Sequence, residues 1–160
     1  MPTPGAAELH ICALSPNQLG DVLEMLRRCS RSSLLHRFHG VTDGTDHVRQ
    51  LVATLGHGHE SLSAWSGGRC VGLATLGGDE LGILVEDCWQ RRGVGTALVD
   101  RLVASARARG IEQLVANVLG EDRFVLKVLR RIGHIEATLE WGVYTVLVSL
   151  PPVLGPTHVP

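Results

Sequence analysis

The stretch Cys88-Trp89-Gln90-Arg91-Arg92-Gly93-Val94-Gly95-Thr96 sets two glycines and two adjacent arginines at the start of an amphipathic pattern. These are the ingredients of an anion site. The first N–H groups of a helix lack intrahelical partners, the helix dipole is positive there, and glycine lets a phosphate approach the backbone closely. Spacing excludes two common phosphate loops. No G-x-x-x-x-G-K-[ST] string occurs, and Leu98 stands where a dinucleotide fingerprint needs its third glycine. The remaining pattern is Q-x-x-G-x-G, and a plain helix start with two solvated arginines accounts for these residues equally well.

Other reactive side chains carry weaker signals. His57-Gly58-His59, with Glu60 beside it, offers two imidazoles where a closed zinc site wants four ligands, so it reads as a surface loop. Ser30-Arg31-Ser32-Ser33 with His36 and His39 lacks the G-x-S-x-G elbow of a serine nucleophile and reads as helix capping. Trp65, Trp89 and Trp141 are expected to be half-buried, with Trp89 anchoring the glycine loop. The cysteines Cys12, Cys29, Cys70 and Cys88 are widely spaced and fit reduced thiols in a cytoplasmic protein.

The elements that must position these groups follow from periodicity. Leu9–Leu14 reads as a short strand. Ser15-Pro16 opens a helix with Leu19, Val22, Leu23 and Leu26 on one stripe. A second short helix carries Leu34, Leu35 and Phe38, and Asp46 caps a third with Val48, Leu51, Val52 and Leu55 inward. Ser61–Ser66 and Cys70–Leu76 form a hairpin about Gly67-Gly68, and Glu80–Val85 is a central strand. Gly93–Arg109 is a helix burying Val94, Leu98, Val99, Leu102, Val103 and Ala106, with Gly110 as its C-cap. Leu114–Leu119 is a strand. Asp122–Ile132 is a helix with Val125, Val128, Leu129 and Ile132 inward, and two closing strands flank Trp141-Gly142, the second at Val143–Leu150. The order βααα-ββ-β-α-β-α-ββ is that of an α/β domain with a mixed sheet.

The chain has 160 residues, 15 Lys+Arg against 16 Asp+Glu, and 44% hydrophobic residues. That length suits one domain over 1–160, with a core at 9–150 and loose ends at 1–8 and 151–160. Near-neutral charge argues against a nucleic-acid partner bound by bulk electrostatics. No run approaches the ~18 apolar residues of a membrane helix, and MPTPGAAELH lacks the basic and apolar regions of a signal peptide.

The pattern extends beyond the glycine loop. Asp79-Glu80-Leu-Gly-Ile-Leu-Val85 precedes it, and Val118-Leu-Gly-Glu-Asp122 followed by Leu126-Lys-Val-Leu-Arg-Arg-Ile-Gly133 comes after it. Ser30, Ser33, Leu34, Arg37 and Phe38 spell S-x-x-S-L-x-x-R-F. With the Q-x-x-G-x-G loop, these segments resemble the GNAT superfamily of acyl-CoA-dependent N-acyltransferases. Within it they are most similar to the catalytic domain of bacterial protein-lysine acetyltransferases. The resemblance implies a mixed, mostly antiparallel sheet of about seven strands, helices on both faces, and strands four and five splayed.

It also implies acetyl-CoA as cosubstrate, with no metal. Pantetheine would run along Ile83, Leu84 and Val85, and Gln90, Arg91, Arg92, Gly93, Val94, Gly95 and Thr96 would hold the pyrophosphate. Asp122 and Val125 would line the opposite wall, Asp122 standing where the family usually has Asn. The implied reaction is direct acetyl transfer to a primary amine, of a protein lysine or a small molecule; a homodimer is compatible with it. The alternatives are a non-catalytic acyl-CoA-binding module and a nucleotide binder of another kind. An amine with a reference pKa of ~10.4 must lose a proton before it attacks, so a base is required. By position, the resemblance assigns that role to Glu80, whose place at the end of an apolar strand is expected to desolvate it partly. Asp79 is the runner-up, and strand alternation sends the two side chains to opposite faces.

Overall fold

In the computed structural model, residues 8–38, 59–119 and 123–151 are described. The helix expected after Asp46, the His57-Gly58 pair, Asp122 and the two tails (1–7 and 152–160) lie outside them. Seven strands form one sheet in the order β1-β2-β3-β4-β5-β7-β6. They are β1 His10–Ala13, β2 His59–Ser66, β3 Arg69–Gly77, β4 Glu80–Val85, β5 Gln113–Leu119, β6 His134–Glu140 and β7 Val143–Ser149. The described helices are α1 Leu19–Arg28, α2 Arg31–Phe38, α3 Val94–Ala108 and α4 Arg123–Ile132. Short 3₁₀ turns at Pro16–Gln18 and Asp87–Trp89 precede α1 and the glycine loop.

Two hairpins turn on residue pairs of positive φ. Gly67 and Gly68 (φ 56° and 78°) join β2 to β3, and Trp141 and Gly142 (φ 52° and 80°) join β6 to β7. Such turns match the right-handed twist of the strands they connect. All neighbouring strands run antiparallel except β4 and β5, which are parallel and share a single bridge, Glu80↔Val115. Beyond that bridge the two strands separate. The sheet is therefore continuous but open along one seam.

Apolar side chains bury on both faces. Leu81 and Val85 of β4 join Leu114, Ala116 and Val118 of β5 in the core beneath α3 and α4. Leu84, Cys70 and Leu73 face the other way, into a smaller core under α1 and α2 with Val22, Met25, Leu26 and Leu34. On α3, Val94, Leu98, Val99, Leu102, Val103 and Ala106 are all buried, as their spacing requires. The α1 stripe is Val22, Met25 and Leu26, with Met25 fully buried and Leu23 only half-buried. Met25 and Leu26 lie one turn beyond Val22, which brings Met25 into the stripe and turns Leu23 to its edge. On α2, Leu34 is buried toward the sheet and Leu35 is 40% exposed. Trp141 is fully exposed rather than half-buried, since it sits at a hairpin tip that no described element covers.

Candidate active site

The seam between β4 and β5 opens into a cleft of about 560 Å³. Its walls are β4 residues 80–85, Ala116 to Val118 of β5, the α2 side chains Ser33, His36 and Arg37, and Phe124, Val125 and Leu129 of α4. Glu86 N donates to Val71 O, so even-numbered β4 residues hydrogen-bond toward β3. By alternation, the main-chain groups of Ile83 and Val85 face the seam, where no strand pairs with them after the one bridge. Leu84 also lines the cleft, but its side chain is buried under α1 and its main chain is opposite Leu73.

The glycine loop is built at the cleft's far end. Gln90 turns inward: its Nε2 donates to Val85 O and to Ser33 Oγ, both at 3.0 Å. Arg91 adopts φ 61°, Gly93 adopts φ 82° and caps α3, and Ala97 N is the first helical donor to Gly93 O. The amides of Val94, Gly95 and Thr96 therefore precede the helical ladder and have no intrahelical acceptor. A Cβ on Gly95 would touch Ile83, Val85 and Phe124 at 3.5–3.6 Å, so this residue is seated directly against the cleft lining. Arg91 lines the cleft, whereas the Arg92 guanidinium lies 5.0 Å over the Trp89 ring. Trp89 thus anchors the loop through a cation–π contact as well as by partial burial against the core.

Side chains whose roles the sequence did not disclose brace this loop. Asp87 Oδ1 accepts from Ser30 N at 2.8 Å. Burial pushes the Asp87 carboxyl up, but the Ser30 hydroxyl and amide, the Ser33 hydroxyl and its own N–H together hold it below its usual value. Ser30 caps α2 through Ser33 N at 3.1 Å, as expected, and the same serines also tie α2 to the loop. Buried Glu86 receives Arg28 through Nε at 2.8 Å and one terminal nitrogen at 3.3 Å, and that terminal nitrogen also reaches Cys70 O at 2.8 Å. The acidic pair Glu86-Asp87 directly before the loop was the available signal. Its partners, Arg28 on α1 and Ser30 at the start of α2, lie 58 and 57 residues away in sequence and could not be read.

Glu80 lies at the opposite end of β4 and lines the same cleft. It is exposed rather than partly desolvated. The Arg37 guanidinium covers Gly82 so closely that a Cβ there would come within 2.5 Å of Cζ, and it donates to Thr75 Oγ1 at 3.0 Å. Burial lowers the Arg37 guanidinium, and the Glu80 charge opposes that. Asp79 O accepts from Val115 N, and the Asp79 side chain is exposed and not among the groups lining the cleft. Val125 is on the α4 wall, while Asp122 lies outside the described residues. Among the described residues no group of three or more His, Cys, Asp or Glu is placed to hold a metal ion. Nor is any helix among them long and apolar enough to cross a membrane.

Residues 21–134 match the model of the acetyltransferase (GNAT) family. The chain is 32% identical over 74 residues to Acetyltransferase Pat of Mycolicibacterium smegmatis, a match covering 46% of this chain and 22% of that relative's length. Its fold is that of the GNAT domain of S. lividans PAT, with a TM-score of 0.78 at 23% identity over 89% of this chain and 90% of that one. It also superposes on yncA, a putative acetyltransferase from Salmonella typhimurium solved with acetyl-CoA. That match has a TM-score of 0.70 at 18% identity over 94% of this chain and 99% of the other. A splayed parallel pair, a glycine loop at its far end and a family match over 21–134 lead to one conclusion: this chain belongs to the GNAT acetyltransferase family.

Proposed function

We propose that this protein transfers the acetyl group of acetyl-CoA directly to a primary amine, with Glu80 as general base. The observation that carries the reading is the single β4–β5 bridge, because it leaves β4 main chain open along a cleft that ends on the glycine loop. Acetyl-CoA supplies an acyl group already activated as a thioester. The residues present fit it: along the seam no strand pairs with the main chain of Ile83 and Val85, and Gly95 adds no side chain where the loop meets the lining.

In this reading the amides of Val94, Gly95 and Thr96 bind the pyrophosphate, with Arg91 adding charge. Arg92, engaged with Trp89, steadies the loop. Ile83 and Val85 orient the pantetheine arm through their main chain. Five residues of strand rise separate Glu80 from Val85, roughly 16 Å at ~3.3 Å per residue, so one rigid strand sets the distance from phosphate grip to base. Glu80 takes the proton of the acceptor ammonium, directly or through one water, and the deprotonated amine attacks. The resemblance carried by Ser30, Ser33, Leu34, Arg37 and Phe38 to protein-lysine acetyltransferases supports a protein lysine as acceptor, and a small-molecule amine is the second class to test.

The test is release of free thiol from acetyl-CoA with an amine panel of lysine peptides and small amines. Glu80→Gln should lower turnover by about 10²–10⁴-fold while acetyl-CoA affinity stays within about twofold. Full activity in Glu80→Gln with loss in Asp79→Asn would move the base one residue back. Binding of acetyl-CoA with no thiol released on any amine would leave a binding module instead.

A further inference from the structure

Glu80, Asn117 and Thr145 belong to β4, β5 and β7, three strands that are consecutive in the sheet. Alternation puts all three side chains on one face. Leu81 and Val85, Leu114 to Val118 at even positions, and Val146 and Val148 are buried toward α3 and α4, so residues 80, 117 and 145 point to the side that carries α2. Asn117 and Thr145 are direct cross-strand partners. Asn117 Nδ2 donates to Glu80 Oε1 at 3.4 Å, and Thr145 Oγ1 donates to Asn117 Oδ1 at 3.4 Å.

The chemistry of the three groups fixes the direction of this chain. An ionised carboxylate only accepts, a hydroxyl can donate, and an amide has one end of each kind. A hydroxyl donating to the amide oxygen commits the amide nitrogen to the carboxylate. We propose that Asn117, oriented by Thr145, is a positioning residue for Glu80: it fixes the carboxylate through Oε1 and leaves Oε2 turned to the proton of the acceptor amine. The inference rests on the reading of Glu80 as the base. Other charged groups face the same place and stay unchanged in the variants below. They are Arg37 and His36 on α2 and His59 of β2, which lies over Gly77, the β3 partner of Glu80, whereas Asp79, next in the chain, does not line the cleft.

The test uses the full chain and two readouts. One is a ¹³C carboxylate NMR titration, with the Glu80 signal assigned by its loss in Glu80→Gln. The other is the acid limb of kcat/KM for thiol release with poly-L-lysine and free lysine as acceptors. Asn117→Asp replaces the donor by a like charge and should move the Glu80 midpoint up by about one pH unit or more, carrying the acid limb with it. Thr145→Val should move both less and in the same direction, and Thr145→Ser should restore them. Both positions are solvent-accessible, so melting temperatures should change by no more than about 2 °C. If Glu80→Gln loses turnover while Asn117→Asp leaves the midpoint unmoved, the positioning role is overturned alone. If Glu80→Gln keeps full turnover, the base falls and the positioning role falls with it.

Discussion

Arg28→Met is the most informative perturbation of the scaffold, because it leaves a buried carboxylate without its cation. Glu86 has a side chain only 7% exposed, directly after β4 and before the glycine loop, and Arg28 meets it with a side chain 26% exposed. The substitution removes two charge-assisted hydrogen bonds to Glu86 and a third to Cys70 O. Breaking one partner of a buried pair costs about 3–5 kcal/mol; since Arg28 is a quarter exposed, the lower figure of about 3 applies. At ~2–4 °C per kcal/mol for a chain of this size, the melting temperature should fall by roughly 6–12 °C. Glu86→Gln keeps an acceptor and should cost about 1–2 kcal/mol. The double variant Arg28→Met/Glu86→Gln removes both charges and should recover at least about 1 kcal/mol of the sum of the singles. Calorimetry on the three proteins measures this. A fall below 2 °C for Arg28→Met, or strict additivity in the double variant, would refute the claim that this pair holds the end of β4.

Gly133→Ala would drive its Cβ into the Ser149 carbonyl oxygen, a backbone atom of the β7 ladder; a loss of about 2 kcal/mol or more is expected in urea denaturation. Gly95→Trp would thrust a ring between Ile83, Val85 and Phe124 and should abolish acetyl-CoA binding in calorimetric titration, whereas unchanged affinity would remove the loop from the cofactor site. Asp87 is held below its ordinary value, so its stabilisation is present above about pH 4 and is lost as pH falls through the lower folded value. Asp87→Asn should therefore melt with a flatter pH dependence between pH 5 and 2 than the parent, a range in steps of ~1 unit being sufficient. Burial pushes the Cys29 thiol up to about 12 and the Cys70 thiol up to about 11. A thiol reagent at pH 8 should modify exposed Cys88 in the native protein and reach Cys29 and Cys70 only on unfolding. The stabilisation from those two protonated thiols should be lost as pH rises above about 9.

Where one face of an element dominates its burial, the sequence was readable. The α3 stripe from Val94 to Ala106 and the strand Glu80–Val85 appear where their spacing puts them, and the Gly67-Gly68 and Trp141-Gly142 turns lie between the strands they were expected to join. Short helices were harder, because two turns leave little periodicity. Met25 and Leu35 both depend on the angle at which α1 and α2 meet the sheet, which is a tertiary property. At the site, the glycine loop and Glu80 were visible as local strings. The latch of Ser30 and Ser33 to Asp87 and Gln90, the stacking of Arg92 on Trp89, and Phe124 in the cleft wall were not. Each depends on residues brought together by the sheet order or, for Arg92, on which way a loop side chain turns.

Helix α2 is fastened at both ends, by Ser30 and Ser33 to the glycine loop and by Arg37 to Thr75 over Gly82. Its eight residues span roughly 12 Å at ~1.5 Å per residue. For anyone transplanting parts between such enzymes, this makes the loop and the helix a single cassette. A graft of residues 86–96 alone would arrive with Asp87 and Gln90 facing a foreign helix, and the new loop would lose its brace. Exchanging α2 alone would in turn leave Asp87 and Gln90 of the loop without their serine partners. Libraries that diversify residues 30, 33, 87 and 90 together should yield working variants more often than libraries that diversify either segment by itself.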